Sequence, residues 1–562
     1  MASEPRLAHS QLEDHRRFFT PRLPSTLAGA FKTVVGEARG AMGDKEKIQA
    51  LFPKTYGKPT LSFEAADEDE VPARPLRVGV VLSGGQAPGG HNVIAGIFDF
   101  IKRFHADSVM VGFKNGPHGI FTGNYLEIDD ELMDKYRNMG GFDIIGSGRH
   151  KIHDDKQFAD SLRFCTELRL DGLVVIGGDD SNTNGAVLAE YFAEKGSMTS
   201  VVGAPKTIDG DLKVQPFIPV SFGFDTACRT YAELIGNVAA DAASSQKYYH
   251  FVRLMGRSAS HITLEAAFQT QPNLTFVGEE VQEKQQSLAH VTQQVVDLIV
   301  ERAAVGKDYG VVLVPEGLIE FIPDVGALIG DINEILAPGD VAPTIEAVGA
   351  KLAPANKACF DFLPLEIKLQ LLADRDAHGN VAVSKIETER LLTVCAEAEL
   401  AKLKAAGKFA GTFSPQFHFF GYEGRSCLPS QFDANYCYAL GYTAGALISR
   451  KENGHIASIT NLLAPVEEWV AGGCPTTMLM NIERRIGAEK PVIKKALTEL
   501  DGRPFQVFCE KRARWRIEDH YRNPGPIQFE GPGSSAICFH LQYELEGAAA
   551  AAAPPAAKKA RK

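Results

Sequence analysis

From Arg77 onward, apolar runs of five to seven residues alternate with amphipathic stretches. That texture marks βαβ units around a largely parallel sheet. The runs predict strands over Arg77–Leu82, Ser108–Phe113, Asp143–Ile145, Gly172–Ile176, Ser200–Ala204, Tyr249–Leu254, Leu274–Val277 and Gly310–Val314. Several end in glycine-rich turns, at Ser83-Gly84-Gly85, Gly177-Gly178 and Pro315-Glu316-Gly317. In open α/β sheets such turns lie at the carboxyl ends of strands, where ligands bind. Ahead of this pattern, residues 1–75 carry proline breaks and an acidic stretch from Glu64 to Glu70 and read as an arm. After Asp324 the pattern is mainly helical to about Gly407, for example Glu387–Lys404, and a sheet-like texture returns at Phe413–Phe420 and His455–Ile459. The expected organisation is an arm (1–75), a first α/β domain (76–220) to which part of the C-terminal half can return, and a second α/β domain (221–323 with about 411–470). A helical insertion (324–410), a C-terminal region (471–546) and a disordered Ala/Pro/Lys tail (547–562) complete it.

Composition narrows the function classes. The chain of 562 residues is 44% hydrophobic and 23% charged, ordinary for a soluble globular protein, and long enough for two or three domains. A net charge of −11 argues against general nucleic-acid or anionic-membrane binding. It leaves room for an anionic substrate, because phosphate sites are built locally from backbone N–H groups and a few cations. Nine cysteines are dispersed with no C-x-x-C pair, which reads as reduced thiols in a cytoplasmic protein. The N-terminus, with Glu4, Glu13 and Asp14, has no secretory apolar core, and no apolar run reaches membrane-spanning length. The closing Lys558-Lys559-Ala560-Arg561-Lys562 reads as a plain basic tail.

Three motifs carry candidate phosphate chemistry. The run Ser83-Gly84-Gly85-Gln86-Ala87-Pro88-Gly89-Gly90 leads from a strand into a helix, so glycine permits close backbone approach at a helix N-terminus. It is not a Walker A loop, since no G-x-x-x-x-G-K-[ST] occurs in the chain. In Gly177-Gly178-Asp179-Asp180-Ser181, two adjacent carboxylates would repel unless a cation sits with them, and Mg²⁺ commonly uses one or two carboxylates plus substrate phosphates. In Pro205-Lys206-Thr207-Ile208-Asp209-Gly210-Asp211, the acids two apart share one side of an extended chain. One can take a proton while Lys206 supplies positive charge, as phosphoryl transfer requires. Three shorter runs follow: Met255-Gly256-Arg257, Pro315-Glu316-Gly317 and Gly421-Tyr422-Glu423-Gly424-Arg425. Taken singly, an ordinary βα turn or a polar surface turn accounts about equally well for the first and third motifs, helix capping by Asp180 or Ser181 explains the second except for its paired acids, and the three shorter runs read more readily as structural.

Together and in this order the motifs resemble the phosphofructokinase family, over Arg77 to Arg425 and beyond. Within it the chain looks like the pyrophosphate-dependent branch in its long plant-type form, specifically the catalytic beta subunit. ATP-using members have glycine where Asp180 and Lys206 stand. A carboxylate at the first position excludes the nucleotide, and a lysine at the second reaches a bare pyrophosphate. The resemblance implies the phosphofructokinase fold, two Rossmann-like three-layer α/β domains with a helical insertion. It implies Asp209 as the general base for the 1-hydroxyl of fructose 6-phosphate, supported by Asp211, with Lys206 stabilising the transferred group. It also implies Asp179 as the Mg²⁺ ligand and Gly85 with Asp180 beside pyrophosphate. Thr207, Ile208, Met255, Gly256, Arg257, Glu316, Tyr422, Glu423, Gly424 and Arg425 would hold the sugar phosphate. Lys247 and Tyr248 would serve a neighbouring subunit's sugar site, so a homo-oligomer or a hetero-oligomer with a regulatory alpha subunit is expected. Two other readings stand beside this one: a non-catalytic alpha-type subunit, and an ATP-dependent sugar kinase.

Overall fold

The computed structural model describes residues 9–552 except 374, 376–379, 486–487 and 532. Its strands are β1 (Phe31–Ala38), β2 (Pro59–Ala65), β3 (Arg77–Ser83), β4 (Val109–Phe113), β5 (Tyr125–Ile128), β6 (Gly172–Gly177), β7 (Ser200–Pro205) and β8 (Tyr249–Leu254). They continue with β9 (Leu274–Thr275), β10 (Gly310–Pro315), β11 (Pro415–Phe420), β12 (His455–Thr460), β13 (Val470–Pro475), β14 (Met480–Arg485) and β15 (Ala488–Ile493).

The chain divides into two units. The first comprises residues 1–230, 421–496 and 526–536, and the second 231–420, 497–525 and 537–562. The first is built on a nine-stranded sheet in the order β1-β2-β13-β12-β7-β6-β3-β4-β5. Its centre is parallel, with β6 between β3 and β7, and those strands are buried almost throughout, as a sheet covered on both faces requires. Behind β3, the helices Gly90–Phe104 and Gln431–Ser449 meet backbone to backbone. A Cβ at Gly96 would stand 2.1 Å from the Tyr438 carbonyl oxygen, and one at Gly441 would stand 2.0 Å from that of Val93. This fixes the helix whose N-terminus faces the first glycine loop.

The second unit holds the parallel sheet β11-β8-β10-β9. Its apolar core joins strand residues such as Phe251, Val312 and Val314 to Leu328, Phe360, Leu391 and Leu392 from the helices between Pro323 and Ala405. Those helices therefore share this core instead of forming a separate body.

Several sequence expectations need correction. Residues 1–75 are not merely an arm, because the β1–β2 hairpin extends the large sheet and pairs with β13. Asp143–Ile145 is a turn, since Gly141 and Gly146 on either side have φ of +84° and +67°, incompatible with a continuing strand. Residues 421–470 belong with the first unit, because β12 pairs parallel to β7 and antiparallel to β13. Residues 547–552, expected in a disordered tail, continue the helix Phe539–Ala552, while Lys558–Lys562 lie outside the described residues. All nine cysteines are free. Among the described residues no helix is long and apolar enough to cross a membrane.

Candidate active site

In the first unit the three glycine-bearing loops follow β3, β6 and β7, neighbouring parallel strands whose carboxyl ends lie side by side. They are tied together. The Ser181 hydroxyl donates to that of Ser83 at 2.8 Å, linking the first two loops. The Lys206 N–H donates to the Gly177 carbonyl at 3.0 Å, linking the second to the third. Buried Asn182 strengthens that second tie, its Nδ2 donating to the carbonyls of Gly177 (2.5 Å), Gly178 (3.0 Å) and Ala204 (3.3 Å). At the first loop, Gly84 takes φ +88°, its N–H donates to the Gly148 carbonyl at 2.9 Å, and its own carbonyl accepts from Ser147 Oγ at 2.6 Å.

Cations gather on this glycine surface. A Cβ placed at Gly84 would lie 3.4 Å from Lys206 Nζ, and one at Gly85 would lie 3.5 Å from Arg149 Nη2 and 3.6 Å from Arg425 Cζ. Burial pushes the Lys206 ammonium down to about 8; Asp209 and Asp179 oppose the shift, and Arg425 and Arg149 add to it. A buried lysine facing two guanidinium groups calls for a multiply charged anion.

Two acids, Asp209 and Asp179, also act on Lys206. Asp179 opens the helix Asp179–Glu194, where the N-terminal dipole favours a carboxylate. Asp180, its half-exposed neighbour, is held by Lys151 at 2.9 Å. The segment Thr207–Asp211 is a turn, not the extended stretch expected from the sequence, because Gly210 has φ +74°. The Asp209 N–H donates to Thr207 Oγ1 at 3.0 Å, leaving its half-buried side chain at the turn's tip. Asp211 is buried; burial, then repulsion from Asp209, raises it to about 7, against the pull of Lys495. Lys495 Nζ lies 3.8 Å from Asp179 Oδ2 and 3.7 Å from Asp211 Oδ2.

Among the described residues no group of three or more His, Cys, Asp and Glu could hold a metal unaided. Asp179 and Asp211, both within 4 Å of one ammonium, instead suit a cation that takes its remaining ligands from phosphate oxygens and water.

Of the remaining candidates, Ile208 is buried beside Thr207. In the last motif the Glu423 carboxylate accepts the Gly421 N–H at 2.7 Å, Gly424 is buried, and Arg425 lies 4.9 Å from the ring of largely exposed Tyr422. The structure thus places Arg425 beside Gly85, within the first unit.

In the second unit, Met255 and Gly256 are buried at the carboxyl end of β8 and Arg257 is exposed just beyond. Buried Glu316, at the end of the adjoining β10, donates its N–H to the Leu254 carbonyl at 2.9 Å. A Cβ on Gly317 would meet the Arg257 carbonyl oxygen at 1.9 Å, so the two loops are in backbone contact. Lys247 and Tyr248 precede β8 at its other end. At about 3.3 Å per residue, Tyr248 and Met255 are roughly 23 Å apart. One chain does not bring these two groups to a common point.

The Phosphofructokinase family model matches residues 77–448. The chain belongs to the phosphofructokinase family. Among curated members, it is 53% identical over 538 residues to subunit beta 1 of pyrophosphate–fructose 6-phosphate 1-phosphotransferase from Arabidopsis thaliana, covering 96% of this chain and 94% of that one. It is 51% identical to pyrophosphate–fructose 6-phosphate 1-phosphotransferase of Treponema pallidum, covering 94% and 95%. Against subunit alpha 2 from Arabidopsis thaliana the identity is 39%, covering 95% and 89%. The crystal structure of pyrophosphate-dependent phosphofructokinase from Nitrosospira multiformis shares the fold, with TM-score 0.52 and 15% identity over 81% of this chain and 95% of that one.

Within this phosphofructokinase, sequence reasoning overlooked Arg149, Lys151, Asn182 and Lys495. Arg149 follows Ser147-Gly148, a small-residue turn that could have drawn notice. Lys495 gave no local signal, being distant in sequence from every motif.

Proposed function

We propose that this chain reversibly transfers a phosphoryl group from pyrophosphate to the 1-hydroxyl of fructose 6-phosphate, giving fructose 1,6-bisphosphate and phosphate. The observation that carries the reading is the placement of Lys206. Its ammonium rises among the glycine loops at Gly84 and Gly178, where it can meet a small bare donor. Asp180, held by Lys151, adds a side chain to the Gly178 loop where the ATP-using members have glycine and a nucleotide's additional phosphate would need room.

Gly85, Arg149 and Arg425 receive the donor's oxygens, and Lys206 neutralises charge developing on the transferred group. Asp209 takes the proton from the 1-hydroxyl as the sugar oxygen bonds to phosphorus and the bond to the bridging oxygen breaks. Asp211, in electrostatic reach of Asp209, would support it in that role. Mg²⁺, held by Asp179 with Asp211 within reach, would supply charge neutralisation for the donor when bound. Thr207, Ile208, Met255, Gly256, Arg257, Glu316, Tyr422, Glu423 and Gly424 form the sugar-phosphate contacts. Lys247 and Tyr248 belong to a neighbouring subunit's sugar site, which their position at the far end of β8 supports. The setting is the cytoplasm, and the assembly is an oligomer.

The test is a donor-by-acceptor panel on the purified chain alone. Rapid turnover with pyrophosphate, Mg²⁺ and fructose 6-phosphate in both directions, and little with ATP, is expected. ATP serving as well as pyrophosphate would overturn the donor assignment. Activity appearing only after addition of an alpha-type partner would overturn the catalytic self-sufficiency of this chain.

A further inference from the structure

Lys495 lies beyond residues 77–448, the span shared with the family model, and the antiparallel pair β14–β15 delivers it. Three hydrogen bonds fix the segment around it. The Ile493 N–H donates to Thr183 Oγ1 at 3.0 Å, the Lys494 N–H to the Leu479 carbonyl at 2.9 Å, and the Ala496 N–H to the Asp211 carbonyl at 2.7 Å. One end of this strap is therefore tied to the helix that begins at Asp179, and the other to the turn that ends at Asp211. Between the ties, the Lys495 ammonium lies almost equally far from the two carboxylates, at 3.8 and 3.7 Å. The cation thus stands between the pair, where a metal shared by both carboxylates would have to sit, and its side chain retains 28% exposure.

We propose that Lys495 is a positioning residue that stands in for the divalent cation between Asp179 and Asp211, and transfers to the donor's phosphate oxygens when metal and pyrophosphate enter together. The inference rests on the pyrophosphate and Mg²⁺ reading above. Metal arriving alone must share two carboxylates with an ammonium already there, so it binds weakly. Pyrophosphate gives that ammonium another anion, and the carboxylates are released to the metal. Metal and donor thus raise each other's affinity by the same factor, as linkage requires.

Equilibrium dialysis of Mn²⁺ against the full-length chain tests this, with and without pyrophosphate and in the absence of sugar phosphate. Lys495→Met should bind Mn²⁺ alone about tenfold tighter than the wild type, since one unit charge has left the site. The gain in Mn²⁺ affinity on adding pyrophosphate should shrink by about the same factor, while Lys495→Arg keeps the wild-type pattern. Lys495→Gln serves as a second neutral variant should the methionine disturb the strap. Neutral variants with wild-type Mn²⁺ affinity and an undiminished pyrophosphate gain would overturn the proposal, as would weaker Mn²⁺ binding without pyrophosphate. Because this comparison involves no turnover, its failure is distinguishable from failure of the donor assignment, which the wild-type rate alone decides.

Discussion

Substituting alanine at Gly85 distinguishes a loop shaped for its ligand from one shaped only to turn. Gly85 is not in the left-handed region, and an added Cβ meets Arg149 Nη2 at 3.5 Å and Arg425 Cζ at 3.6 Å, ordinary van der Waals contact. The folded protein should therefore accept the methyl group at a cost of about 0.5 kcal/mol or less. The bound donor should not. The methyl stands before the two guanidinium groups, where phosphate oxygens must approach, and loss of one charge-assisted hydrogen bond costs about 1.5–3 kcal/mol. The KM for pyrophosphate should rise roughly ten- to a hundredfold, at about 1.4 kcal/mol per factor of ten. Initial rates against pyrophosphate at saturating sugar phosphate, beside a melting curve, measure both effects. The control is Gly84→Ala, where φ +88° imposes a left-handed penalty of about 1–2 kcal/mol and should lower the melting temperature itself. A Gly85→Ala enzyme with pyrophosphate KM within about twofold of wild type, or one as thermally weakened as Gly84→Ala, would refute the reasoning.

Asp209→Ser should reduce kcat by about 10²- to 10⁴-fold with little change in sugar-phosphate KM; near-normal turnover in steady-state assays removes Asp209 from the base role. With Lys206 depressed to about 8, the free enzyme loses that positive charge as pH rises through this value, so kcat/KM for pyrophosphate should fall above about pH 8. Lys206→Arg stays charged and should flatten that alkaline limb in a pH–rate profile; an unchanged limb would assign it to another group. Gly317→Ala drives a methyl into the Arg257 carbonyl, so the Tm should drop by several degrees, for a cost of about 1–3 kcal/mol. The same variant should raise KM for sugar phosphate more than for pyrophosphate, and equal changes would argue against Arg257 as a sugar-phosphate contact.

The readable part of this molecule was local. Central parallel strands such as β3, β6 and β7 are buried apolar runs closed by glycine, so periodicity and turn chemistry fix them in the sequence. The motif residues Asp179, Lys206 and Asp209 follow directly from those strand ends. What escaped depends on long-range pairing. The exposure pattern of β1 gives little amphipathic signal, because one residue of eight is buried and its partner β2 supplies the inward face. Asp143–Ile145 looks like a strand by hydrophobicity, yet its flanking glycines turn it. Lys495 joins the carboxylates only because β14–β15 folds back on the helix Asp179–Glu194, a juxtaposition no spacing rule anticipates.

The β1–β2 hairpin also acts as a hem. β13 carries Gly472 and Gly473 against β2, so closely that a methyl on Gly472 would sit 2.0 Å from the Leu61 carbonyl oxygen. Stripped of the first 75 residues, the sheet would end in β13, whose Gly472-Gly473 pair has no side chains to guard its amides, an invitation to stick to its own kind. Cutting back to residues 77–448 would go further and remove β12 and β13 as well, leaving β7 raw at the rim. The block of residues 77–448 is therefore an insufficient cloth for this fold: its margins keep the fabric from fraying into aggregates.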